Sequence, residues 1–137
     1  MPPYFIDTFY LIALANHGDE WHQHVAEFSK SLSDECHLYT VDEVLTEFLN
    51  YACGRGQESR KTAAYVVKEL LNESQVTVIA QSRTSFLEAL KFYEARSDKE
   101  YSLTDCVSMK VMQRERLTSV LTHDHHFEQE GFQIIFP

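Results

Sequence analysis

Four acids stand where acids can do chemistry: Asp7, Glu47, Asp105 and Asp124. Asp7 closes the short apolar run Tyr4-Phe5-Ile6, and Asp124 follows the run Ser119-Val120-Leu121-Thr122. Both therefore fall at the rim of a core rather than out in solvent. Glu47 lies mid-helix in the row Val44, Glu47, Tyr51, on the flank of the apolar stripe made by Val41, Val44, Leu45, Phe48, Leu49 and Ala52. Glu43 lies nearly opposite that stripe and is expected to face solvent, while Asp42 suits the positive end of the helix. Asp105 falls in the first turn of a helix opened by Ser102-Leu103-Thr104. If the four converge, their repulsion raises their pKa values or recruits a cation. Oxygen ligands without cysteine select Mg²⁺ or Mn²⁺. Such an ion activates a bound water and neutralises charge on a phosphodiester, which is the chemistry of phosphate-ester hydrolysis.

Each acid also has a plainer structural reading. Asp105 can serve only as a helix-start acid. Asp7 and Asp124 can cap the helices that follow them, and Glu47 can sit solvated on a surface flank. It is the conjunction of both strand-end acids with Glu47 and Asp105 that favours a shared site. Thr8 and Thr122 stand next to or near the strand-end acids. Their hydroxyls could hold those carboxylates or satisfy ordinary strand-end hydrogen bonds. Ser102 reads as a helix N-cap.

Other features carry less. The run His123-Asp124-His125-His126 suggests zinc, but adjacent residues point different ways and few could share one ion. A histidine from this run lining the mouth of a site is the better reading. His22 and His24 read as solvated helix positions. Cys106 has no base partner and falls on an apolar helix, so it belongs to the core. Gly54-Arg55-Gly56 is a helix stop, and no Walker or GxGxxG motif is present. Arg55, Arg60 and Lys61, then Arg96 and Lys99, then Lys110, Arg114 and Arg116, form basic groups that could touch phosphates or simply be solvated. Trp21, Phe28 and Tyr51 are interface candidates that equally suit a core.

The elements that must position these residues alternate in type. Short strands are expected at 4–6, 36–39, 76–80, 119–122 and 132–136. Helices are expected at 8–15, from 19 to about 32, 41–52 with Thr40 as its cap, 59–72, 82–96 and from 102 to about 114, with a short turn through Phe127. On the 59–72 helix, Ala63, Val66, Val67, Leu70 and Leu71 should face inward. On the 82–96 helix, Phe86, Leu87, Leu90 and Tyr93 should form the apolar face. Short apolar strands alternating with helices predict an α/β sandwich with a mostly parallel central sheet of four to five strands. In such sheets ligands bind beyond the carboxyl ends of the strands, where Asp7 and Asp124 fall.

Composition narrows the classes. Hydrophobic residues make up 44% and charged residues 24% of the 137, an ordinary globular balance that excludes disorder as the main state. No repeat, linker or composition break divides the chain, so it reads as one domain over 1–137. No apolar run approaches the roughly 18 residues that cross a bilayer, and no signal-peptide pattern opens the chain. Three widely spaced cysteines form no CxxC pair, which fits a reducing cytoplasm and no membrane association. A net charge of −9 argues against passive wrapping of nucleic acid, though not against an enzyme that holds phosphates through a cation.

The order and spacing of the pieces resemble the PIN-domain ribonucleases, and within them the VapC-like toxins of toxin–antitoxin pairs. The matching pieces are Tyr4-Phe-Ile-Asp7-Thr8, Thr40-Val-Asp-Glu-Val-Leu-Thr-Glu47, Ser102-Leu-Thr-Asp105-Cys-Val-Ser108 and Val120-Leu-Thr-His-Asp124-His-His-Phe-Glu-Gln-Glu-Gly131-Phe132. They span essentially the whole chain, and the last two are the most specific. The resemblance implies a PIN-like three-layer sandwich, with the family's metal-binding acids at Asp7, Glu47, Asp105 and Asp124. It implies Mg²⁺- or Mn²⁺-dependent cleavage of RNA, a homodimer, and a small antitoxin that blocks the site. His123 stands where the family varies widely, and the negative charge leaves the RNA-binding surface unexplained. Two other classes compete with this one. A non-catalytic PIN-like module that binds RNA or protein would be expected to have lost an acid, and none is missing. A phosphorylated receiver domain would pair acids at the first strand and place a lysine after the last; neither is present.

Overall fold

The computed structural model describes residues 2–137. Among them the chain forms, in order, β1 (Tyr4–Ile6), α1 (Thr8–Ala15), α2 (His22–Ser31), β2 (Leu38–Val41), α3 (Asp42–Cys53), α4 (Gln57–Asn72), β3 (Val76–Ile79), α5 (Arg83–Ala95), α6 (Leu103–Arg114), β4 (Ser119–Leu121), α7 (His126–Gln129) and β5 (Gln133–Ile134). The strands make a five-stranded sheet in the order β3-β2-β1-β4-β5, and every neighbouring pair is parallel. This is the expected α/β arrangement, a central parallel sheet flanked by helices. No described helix is long and apolar enough to cross a membrane.

Burial explains the runs. β1 and β4 are buried at every position, as central strands covered on both faces must be. Phe5 sits opposite Tyr39 on one side and Val120 on the other, and Phe5, Ile6, Val120 and Leu121 are essentially inaccessible. The sheet order also fixes where a ligand can enter. The chain steps from β1 to β2 to β3 in one direction, then returns to the other side of β1 for β4 and β5. The crevice at such a reversal opens beyond the carboxyl ends of β1 and β4.

Several boundaries and faces differ from the sequence expectation. α2 starts at His22, not Asp19, because the Asp19 carboxylate accepts a hydrogen bond from the Trp21 N–H at 2.8 Å and holds a turn there. β2 runs 38–41 rather than 36–39. Thr40 is therefore inside a strand and is not the cap of α3, whose cap position is Val41. Its buried hydroxyl instead donates to the Ile6 carbonyl at 2.9 Å, tying β2 to β1 one residue before Asp7. His22 is not simply solvated: its Nδ1 donates to the Ala13 carbonyl at 2.7 Å, joining α2 to α1. The larger reversal is on α5. Ala89 and Phe92 are its buried residues, whereas Leu87 is 52% and Tyr93 50% exposed, with Phe86 and Leu90 also outward. The helix carries two apolar stripes side by side, and α6 takes the one centred on the small Ala89, where backbones can approach. Leu71 likewise lies outside, one helical step past the partly buried Leu70.

Candidate active site

The site is built from strand ends and helix starts. β1 runs directly into α1, so Asp7 occupies the junction with extended backbone angles. Its side chain does not cap α1. It turns across the crevice to the end of β4, where Thr122 Oγ1 donates to Asp7 Oδ2 at 2.8 Å. The same Thr122 oxygen accepts the Asp124 N–H at 3.1 Å. One buried hydroxyl thus sets the spacing of both strand-end acids. Thr8 behaves differently from expectation. Its backbone N–H supports the Asp7 carboxylate, but its buried hydroxyl has no partner among the described residues.

Asp105 enters from α6. Its N–H donates to Ser102 Oγ at 3.0 Å, and its Oδ2 accepts the Ser102 N–H at 3.1 Å. This reciprocal pair is a capping box, so the helix-start reading of Asp105 holds, and the same geometry anchors the carboxylate at the crevice. Asp124 is similarly double in role: its Oδ1 accepts the His126 N–H at 2.9 Å at the start of α7. Glu47 reaches in from α3 at the exposed edge. Asp7, Glu47, Asp105 and Asp124 all line one cleft of about 440 Å³, together with Thr8, Thr122, His123 and Asp19. Asp19 escapes the sequence reading, in which it presents only as a helix start.

The electrostatics follow from burial and crowding. Burial first, then the charges of Asp105 and Glu47, push the Asp7 carboxyl up to about 7, against the opposing hydrogen bonds from Thr122 and Thr8. Asp105 is also held above the ordinary carboxyl range by burial and by Asp124, with the Ser102 N–H and the His126 imidazole acting the other way. Like charges packed this closely at the edge of a core favour a bound cation. Asp105, Asp124 and His126 each offer an atom within 4.8 Å of the others, while Asp7 and Glu47 border the same cleft more widely spaced.

The other candidate residues have different surroundings. His123 lines the cleft, but its Nδ1 donates to the Phe136 carbonyl at 2.7 Å and its ring lies 4.6 Å from that of Trp21. Cys106 is fully buried and its thiol is pushed up to about 11, chiefly by burial, which suits packing. Glu43 does not face solvent: it is half-buried, and its Oε1 has no described partner. The loop before α5 covers that side of α3, with the Gln81 N–H donating to Asp42 at 2.9 Å. Among the basic groups, Arg96 pairs with Glu130, Lys99 with Asp98, and Arg114 with Glu88 and Glu115. Arg55 lies 4.0 Å over the Tyr51 ring, in a second cavity that shares Ile12 with the acidic cleft.

Comparison with known proteins places this geometry. The PIN domain family model matches residues 4–132. No curated protein matches the sequence significantly. Among solved structures the chain is similar to VapC20 of Mycobacterium tuberculosis, described as a sarcin-ricin loop cleaving toxin, with a TM-score of 0.83 and 23% identity over 94% of this chain and 95% of that one. It is also similar to FitAcB from Neisseria gonorrhoeae, with a TM-score of 0.63 and 13% identity over 96% and 95% of the two chains. VapBC2 from Rickettsia felis, solved with a DNA fragment from their promoter, gives a TM-score of 0.61 and 15% identity over 96% of each chain. At these identities the likeness is one of fold.

Proposed function

The chain belongs to the PIN domain family, and from that premise we propose that it is a divalent-metal-dependent endoribonuclease, the toxin of a toxin–antitoxin pair, acting in the cytoplasm as a single PIN domain. The observation that carries this reading is the convergence of Asp7, Glu47, Asp105 and Asp124 on one cleft at the point where the sheet order reverses.

The donor set fits Mg²⁺ or Mn²⁺: carboxylates dominate, no cysteine reaches the cleft, and a buried nitrogen of His126 stands beside two of the acids without a hydrogen-bond partner among the described residues. Asp105 and Asp124 would hold the ion closely, with Asp7 and Glu47 completing the ring directly or through water. When bound, a divalent ion supplies an activated water and neutralises charge on the phosphate and the leaving oxygen. The chain's own residues do the rest. Thr122 holds the Asp7 carboxylate and the Asp124 backbone N–H on one hydroxyl. Burial holds the Asp7 carboxyl well above the ordinary carboxylate range, up to about 7, and a bound cation would favour its ionised form. Phe9 and Ile12 supply the apolar part of the cleft lining. Because the protein carries a net charge of −9, phosphate contact falls to the ion and to local cations such as Arg55 rather than to a basic face.

For partners, we propose a second copy of the chain and an antitoxin, supported by the likeness to a solved toxin and by the outward apolar residues of α5. Exposed apolar patches of this kind mark interaction surfaces.

The test is cleavage of total RNA, and of a sarcin–ricin loop hairpin, by purified protein with Mg²⁺, with Mn²⁺ and with EDTA. Cleavage that needs the ion supports the reading. Tight RNA or protein binding with no cleavage under any ion would favour the non-catalytic module instead.

A further inference from the structure

The proposed ion site is made of carboxylates, and an inference about its edge rests on that reading. One group there is not an acid. His126 Nδ1 lies 3.3 Å from Asp124 Oδ1 and 3.4 Å from Asp105 Oδ2. That nitrogen is buried and stands at ion-pair distance from both carboxylates without a well-formed hydrogen bond to either. A cation held between the three would satisfy it. The residue is not loose: the His126 backbone N–H donates to Asp124 Oδ1, and the ring packs 5.5 Å from that of Tyr101. The neighbouring histidines are committed elsewhere, His123 to the Phe136 carbonyl and His125 to Glu128. Two donors each roughly 2.1 Å from one ion sit about 3.0 Å apart at adjacent corners of an octahedron and about 3.4 Å apart in a tetrahedron. The spacings of Nδ1 from the two carboxylates fall at that scale.

We propose that His126 supplies Nδ1 as a nitrogen ligand to the ion held by Asp105 and Asp124, and that this shifts the site's preference from Mg²⁺ toward Mn²⁺ and the later first-row ions. Mg²⁺ binds oxygen and retains its waters, whereas imidazole suits transition ions. Ligation uses the neutral ring with its proton on Nε2.

The experiment uses the full chain stripped with EDTA. Calorimetry gives the Mn²⁺ and Mg²⁺ affinities, and pulsed electron paramagnetic resonance of the Mn²⁺-loaded protein reads ¹⁴N coupling to the ion. Wild type should show a nitrogen coupling. His126→Asp should still bind an ion, lose the coupling, and show an Mn²⁺ to Mg²⁺ affinity ratio lowered at least about tenfold. His126→Asn provides the same comparison if the aspartate variant does not fold, as judged by circular dichroism. Mn²⁺ bound without nitrogen coupling, or a coupling that survives both substitutions, overturns the role of His126 while leaving the carboxylate site standing. Lost coupling with an unchanged ratio overturns the selectivity. A wild-type protein that takes up no Mn²⁺ overturns the carboxylate site and this inference together.

Discussion

The crevice beyond β1 and β4 and the outer face of α5 break the usual partition of side chains in opposite ways. At the crevice, a carboxylate, two threonine hydroxyls and parts of two more acids are withdrawn from water. On α5, two aromatic and two leucine side chains are left in it. Large stability effects belong to the first kind of departure, because burying a charge is costly. Small ones belong to the second, because an exposed apolar residue loses only what burial would have gained. The crevice is therefore the place where the fold works against its own stability, and α5 is where stability is nearly indifferent to sequence.

Asp7→Asn should show this contrast at its largest. In the metal-free protein Asp7 titrates near 7 rather than at its ordinary 3.8. A folded-state value raised in this way means that the stabilising contribution is full below about pH 4 and is lost as pH rises through about 7. Asparagine removes that loss. The variant should match wild type near pH 4 in EDTA and become more stable by up to about 4 kcal/mol above pH 7, measured by urea unfolding across pH. No gain at pH 8 would show that Asp7 is not held uncharged by its surroundings.

Thr122→Val sharpens the comparison from the other side. The shape is kept, but the donor to Asp7 and the acceptor for the Asp124 N–H are removed. Stability at pH 8 should fall by about 1–3 kcal/mol, and Mn²⁺ affinity measured by calorimetry should fall with it. Thr8→Val offers the internal control. Its hydroxyl has no described partner, so a loss as large as that of Thr122→Val would contradict the assignment of the two threonines. The smallest effect is on α5. Leu87→Lys should change the unfolding free energy by no more than about 0.5 kcal/mol, and RNA cleavage should be unaffected. A loss of several kcal/mol would mean that this face is covered, by the fold or by a second copy of the chain.

The same two regions divide what can be read in the sequence. Asp7 and Asp124 are legible because each ends a short apolar run, and strand ends in a parallel sheet share one edge. Ser102 and Asp105 are legible because a capping box has fixed local spacing. The choice between the two apolar stripes of α5 is not legible. Helical periodicity says that a face is apolar, not which neighbour arrives to cover it, and here α6 selects the stripe with Ala89. Glu43 departs from expectation for a related reason: the loop at Gln81 that shields it comes from 39 residues beyond Asp42. Thr40 has the composition of a cap, but pairing with β3 extends β2 through it, and its hydroxyl is taken by the Ile6 carbonyl of β1. His126 stands in plain view as one of the three histidines of the 123–126 run, and only the path of α7 sets its Nδ1 beside two carboxylates.

The proposed metal-dependent cleavage requires the Asp7 carboxylate at a cost in stability. The most direct test is the cleavage rate of Asp7→Asn at saturating Mn²⁺ beside wild type, on protein shown to be folded. The account predicts a loss of roughly a thousandfold from a protein that is more stable than its parent in EDTA. Cleavage at the wild-type rate by that more stable variant would contradict it.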